Sequence, residues 1–183
     1  MLQGQFAPQM WAARPHLASI FEKLLDQKTF CLPAARFTEH TLRYTNKKGA
    51  ILINLLSKIE PLLLKVQKPA QYIGGAMGSI RKDPSTVSVR FAFCFPDTYE
   101  IGMSHLGMKI LYGLTNAQPN YACERVFCPD TDMEQLMLEH QIPLYTLESL
   151  EPVADFDLIG FTLQYEMAYT NILNMLHLAG IPL

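Results

Sequence analysis

From residue 87 onward the chain switches between short apolar runs and stretches with apolar residues three and four apart. Residues 87–95 (VSVRFAFCF) are a β-rich run stopped by Pro96-Asp97. Residues 104–117 place Leu106, Ile110, Leu111 and Leu114 on one helical stripe, with Ser104 as the expected N-cap. Residues 125–128 predict a short second strand. Asp130 or Thr131 is expected to cap a helix running through Glu139, with Glu134 early in it, where the helix dipole favours an acid. Residues 142–147 predict a third strand and residues 156–163 a fourth. Residues 166–179 predict a last helix, closed by Gly180 and followed by Pro182, and residues 181–183 would open a fifth strand.

The resulting order, β-α-β-α-β-β-α-(β), implies a mostly parallel sheet with helices on both faces and right-handed crossovers. The expected fold class is α/β, a Rossmann- or flavodoxin-like sheet truncated before its last strand. The link over residues 148–155 is too short for a crossover helix of normal length and has room for a single turn.

The first part of the chain has a weaker rhythm. Residues 16–25 (HLASIFEKLL) have helical spacing, and the rest of residues 1–49 reads as loop. Residues 50–66 predict a second helix that Pro61 bends or divides, and Lys68-Pro69 ends it. Residues 72–80 (YIGGAMGSI) are glycine-rich and extended. The expected organisation is a helical and loop extension over 1–49, a helix and glycine-rich linker over 50–83, and the incomplete α/β domain over 84–183.

Charge sharpens that division. The net charge of −2 conceals 12 basic and 5 acidic side chains in residues 1–83, against 3 basic and 12 acidic ones in residues 84–183. No apolar run approaches the roughly 18 residues that suggest a membrane span. The N-terminus has no early basic cluster leading into an apolar stretch, so the expected compartment is the cytoplasm. Thiols stay reduced there, and Cys31, Cys94, Cys123 and Cys128 fit no standard zinc spacing. Cys94 and Cys123 read as buried free thiols. No serine has the strand–turn–helix setting of a nucleophile, and residues after 83 show no basic patch with interleaved aromatics, so neither catalytic triad nor nucleic-acid interface is expected.

In an open parallel sheet, ligands bind beyond the carboxyl ends of the strands, near the reversal in strand order. Two loops leave such ends. The loop after the first strand carries Asp97, Tyr99, Glu100 and His105. The loop after the fourth carries Gln164, Tyr165 and Glu166, with Asn171 one turn on. These eight residues are the candidates for ligand or interface binding. Each has a plainer role open to it: a Pro-Asp turn for Asp97, a cap neighbour for His105, a helix-start acid for Glu166, packing for the tyrosines. Gly74, Gly75 and Gly78 neither follow a strand nor precede a Gly-Lys-Ser/Thr, so a turn is favoured over a phosphate loop.

Several long motifs occur in a familiar order. They are Gln67-Lys68-Pro69-Ala70-Gln71-Tyr72-Ile73-Gly74-Gly75, then residues 91–107 (FAFCFPDTYEIGMSHLG), then Cys123-Glu124-Arg125-Val126-Phe127, then residues 160–166 (GFTLQYE) running on through Tyr169-Thr170-Asn171-Ile172-Leu173. Over about residues 58–183 the chain resembles the N-terminal domain of large bacterial radical S-adenosylmethionine (SAM) proteins with a cobalamin-binding-like front domain. The resemblance implies a Rossmann-like domain ahead of a barrel holding a four-iron–four-sulfur cluster and SAM. The Cys-x3-Cys-x2-Cys triplet that holds such a cluster is absent from this chain. No catalytic or metal-ligating residue is therefore carried over, and the expected partner is a radical SAM barrel this chain does not contain. Cobalamin is not expected, because the loop has Met103 and Met108 where the base-off motif has Asp and Gly around a histidine. The implied function is an accessory domain of a radical SAM enzyme of unknown substrate, inactive alone. The alternative is a stand-alone, non-enzymatic flavodoxin-like module binding a small ligand or a protein.

Overall fold

A computed structural model of the chain describes residues 55–182. The helix expected over residues 16–25 and the remainder of the 1–49 extension lie outside those residues.

Three strands form one all-parallel sheet in the order β2-β1-β3: β1 is Val89–Phe95, β2 is Tyr121–Phe127 and β3 is Leu158–Phe161. The helices are α1 (Tyr99–Ser104), α2 (Leu106–Ala117), α3 (Thr131–Glu139) and α4 (Ala168–Leu178). A further helical stretch covers residues 55–59 and ends at a turn before Pro61. The α/β, Rossmann-like class is therefore the one the structure has.

β1 explains the layering. Its side chains alternate between faces, and both faces are apolar. Phe93 and Phe95 pack with Met108 and Tyr112 of α2 and with Cys123 and Phe127 of β2. Ala92 and Cys94 face a second core holding Met133 and Met137 of α3, Met175 and Leu178 of α4, and Leu55 and Ile59. The path of the chain requires this division. From β1 it moves to β2 on one side, then crosses back over β1 to β3 on the other. A constant right-handed crossover puts the helices of oppositely directed moves on opposite faces.

Five expectations are corrected. The helix expected from Ser104 is α2, but its N-cap is His105, whose Nδ1 accepts from Met108 N–H at 3.2 Å, and the loop expected ahead of it holds the separate helix α1. β2 begins at Tyr121 rather than Arg125, because Val89–Phe95 pairs with it along its whole length. The last helix begins at Ala168, two residues later than expected. Residues 142–147 are no strand. Ile142, Leu144, Tyr145 and Leu147 are buried there, but Pro143 has no N–H and the remaining bonds scatter. Leu144 N–H donates to Leu178 O, Thr146 N–H to Glu151 O and Leu147 N–H to Arg125 O. A single antiparallel bridge, Tyr145 to Pro152, closes the excursion. The one turn foreseen between residues 148 and 155 is the 3-10 turn Val153–Asp155. Ile181 and Pro182 lie in no strand.

The glycine-rich stretch packs against this unit. Gly74 has φ +70°, and a Cβ there would lie 2.1 Å from Leu147 O, so no other residue fits without moving that carbonyl. Leu62, Val66 and Tyr72 join the core on the α3–α4 face. Lys82 Nζ donates to the carbonyls of Gln118 and Tyr121.

Candidate functional site at the reversal of strand order

Strand order reverses at β1, so the junction between the carboxyl ends of β1 and β3 is the position where such sheets receive ligands. Pro96 and Asp97 leave β1 there, and Thr162 leaves β3. Asp97 is held from three sides. Its Oδ1 accepts from Thr98 N–H at 2.8 Å, its backbone oxygen accepts from Cys128 N–H, and its Oδ2 accepts from the Tyr165 hydroxyl at 3.0 Å. Tyr165 is exposed, and donating to this carboxylate raises its phenol pKa. Asn171, one turn into α4, donates from Nδ2 to Pro96 O at 2.9 Å. The structure thus brings Asp97, Tyr165 and Asn171 together across 68 and 75 residues of sequence.

The other candidates take separate tasks. Tyr99 opens α1 and packs edge-on against Phe127, ring centroids 5.3 Å apart. Glu100 is exposed and paired with Lys68, whose ammonium hydrogen-bonds it and holds its carboxyl below the ordinary range. His105 caps α2 beside the Phe95 ring. Gln164 and Glu166 are exposed in the loop ahead of α4.

Sequence reasoning passed over two groups. The Thr162 hydroxyl sits at the same junction, buried and without a hydrogen-bond partner. The second is a set of buried charges within the strands. Arg125 of β2 donates from Nε to Glu148 Oε1 and from its backbone N–H to Oε2, both at 2.6 Å, and from Nη2 to Ser79 Oγ. Its guanidinium lies 4.5 Å from the Tyr112 ring centroid. Burial raises the Glu148 carboxyl pKa against the pull of Arg125. On the other face Arg90 lies over Phe156, its Nη2 2.6 Å from Glu151 Oε2 but not aligned as a hydrogen bond. Glu124, 3.7 Å from Arg90, accepts from Thr146 and Ser149. The available signal was charge inside apolar runs: Arg90 and the Glu124-Arg125 pair interrupt strands otherwise buried on both faces.

Past the junction lies an apolar surface. Leu163, Tyr165 and Met167 in the loop after β3, with Tyr169 and Leu173 one turn apart on α4, are between 44% and 78% exposed.

Fold and junction together define an α/β domain whose strand reversal is flanked by an exposed apolar surface. Residues 107–183 match the family described as radical SAM proteins, N-terminal. No curated protein and no solved structure matches the chain significantly.

The described residues do not fit an iron–sulfur cluster. Cys94 and Cys123 are buried in β1 and β2, where burial pushes their thiols up, and the Cys128 thiol is pushed up to about 11 by the same cause. Among the described residues no three His, Cys, Asp or Glu side chains stand together as a metal site. No described helix is long and apolar enough to cross a membrane.

Proposed function

We propose that this domain is the non-catalytic front domain of a radical SAM iron–sulfur enzyme and docks on the catalytic domain through the carboxyl end of its sheet. The observation that carries the reading is the apolar patch of Leu163, Tyr165, Met167, Tyr169 and Leu173 beside the strand reversal, in a segment matching the radical SAM N-terminal family. An exposed patch rimmed by polar groups is the usual mark of a protein interface. The Asp97–Tyr165 and Asn171–Pro96 bonds supply the polar rim and hold the two loops in one arrangement. The cluster and SAM belong to the catalytic domain, which supplies the radical chemistry, and this chain's residues shape its surroundings.

Extending the coding sequence past codon 183 tests the reading. A Cys-x3-Cys-x2-Cys triplet within a few tens of codons is expected, and a stop codon with no triplet downstream overturns it. In the extended protein, Met167→Glu with Tyr169→Glu is expected to speed limited proteolysis between the two domains while leaving the circular dichroism unchanged. Equal cleavage rates would remove the patch from the interface.

A further inference from the structure

The glycine-rich stretch covers a second site, on the β2 edge of the sheet and apart from the strand reversal. A cleft of about 310 Å³ opens between residues 73–81 and the loop around Leu147–Leu150, lined by Ile73, Gly75, Ser79, Arg81, Leu147 and Glu148 together with Leu150. That volume lies at the lower end of the range for small-molecule sites.

The polar groups of this cleft are unbalanced toward donors. Arg81 is exposed and makes no hydrogen bond or ion pair within the described residues. Ser79 Oγ accepts from Arg125, which leaves its own O–H proton free to donate. The backbone N–H groups of Ile73 and Gly75 have no acceptor within the described residues. The one carboxylate on the wall is already used. Both oxygens of Glu148 accept from Arg125, and its side chain has 0% exposure. With Glu148 neutralised by Arg125, Arg81 leaves one surplus positive charge on the lining of the cleft. Ile73, Leu147 and Leu150 supply an apolar wall beside these donors.

We propose that this cleft binds a small anionic molecule, its phosphate or carboxylate held by Arg81, Ser79 and the glycine-rich backbone, and its apolar body against Ile73, Leu147 and Leu150. The site stands independently of the docking reading, since it uses none of the patch residues.

The test is an amide-shift titration of the full isotope-labelled chain with phenyl phosphate, benzoate, inorganic phosphate and benzylamine. Saturable shifts over residues 73–79 are expected with phenyl phosphate or benzoate, which of the two binds tighter identifying the anion. Inorganic phosphate, lacking the apolar body, is expected to bind more weakly. Arg81→Ala is expected to weaken binding about tenfold, the effect of losing one charge-assisted hydrogen bond. Lys58→Ala removes the same charge from an exposed residue outside the cleft and is expected to leave affinity unchanged. Failure of both aromatic anions to saturate by about 10 mM, equal binding of benzylamine, or equal loss in the two variants overturns the proposal.

Discussion

Gly74 and Glu148 show how single residues hold the glycine-rich stretch and the β2 edge together. At Gly74 both the positive φ and the 2.1 Å approach to Leu147 O exclude a side chain, whereas Gly75 shares the φ but faces open space. Gly74→Ala is expected to destabilise by more than Gly75→Ala, which carries only the backbone strain of about 1 kcal/mol. Urea denaturation midpoints of the two variants measure the difference. Glu148→Ala would strand a buried guanidinium and a strand N–H at once. A loss of about 3–5 kcal/mol is expected, read from the same transitions. At the reversal point, the Asp97 carboxylate was visible in the sequence as a loop acid. Its partner Tyr165 was visible only as a second candidate on another loop, because a hydrogen bond across 68 residues leaves no mark in local spacing.

Among the elements, β2 is the one whose unpaired edge is managed by side chains. Asn116, at the end of α2, donates from Nδ2 to Cys123 O and accepts from Cys123 N–H, standing in for a neighbouring strand. The Glu148 carboxylate accepts from Arg125 N–H in the same way, and the Leu147 backbone N–H donates to Arg125 O. Satisfying an edge in this way removes the template for pairing with another chain. Asn116→Ala leaves a buried N–H and C=O without partners, and a loss of about 2–4 kcal/mol is expected from one to two kcal/mol or more per orphaned group. Equilibrium unfolding checks it, and hydrogen exchange is expected to quicken first at Cys123. The helices α2, α3 and α4 were legible from apolar spacing, since one buried stripe suffices to define them. The helix α1 was not, because a six-residue helix is too short to show a repeating apolar stripe and its residues read as the loop leaving β1. The run 142–147 misled because burial is all that an apolar run reports, while a strand also needs a partner with matching N–H and C=O groups.

Across the molecule, three buried tyrosines tie the layers. Tyr72 accepts from Asp130 N–H, Tyr112 accepts from Ile80 N–H, and Tyr145 donates to Tyr72 O. Burial raises all three phenols, Tyr72 to about 12 from an ordinary 10.0. The unfolded chain releases these protons at lower pH than the folded one. Their contribution to stability is therefore complete below pH 10 and is lost as pH rises through about 12. Tyrosinate absorbance and loss of circular dichroism are expected to rise together in one alkaline transition. A gradual tyrosinate signal ahead of unfolding would show that these hydroxyls are not held as described.

By itself, the sequence determined the alternation of strands and helices and the apolar run of β1. It also determined the loops that leave β1 and β3 and the absence of the cysteine triplet. Periodicity records these because the burial of each residue is set by the residues next to it in the chain. Only the tertiary structure decided which strands are neighbours and that residues 142–147 are a buried excursion. It also decided which charges pair inside the sheet and that the glycine-rich stretch closes a cleft over Glu148. Those outcomes depend on partners 22 to 75 residues apart, chosen by packing and by the need to satisfy every buried polar group, and neither requirement leaves a trace in local pattern.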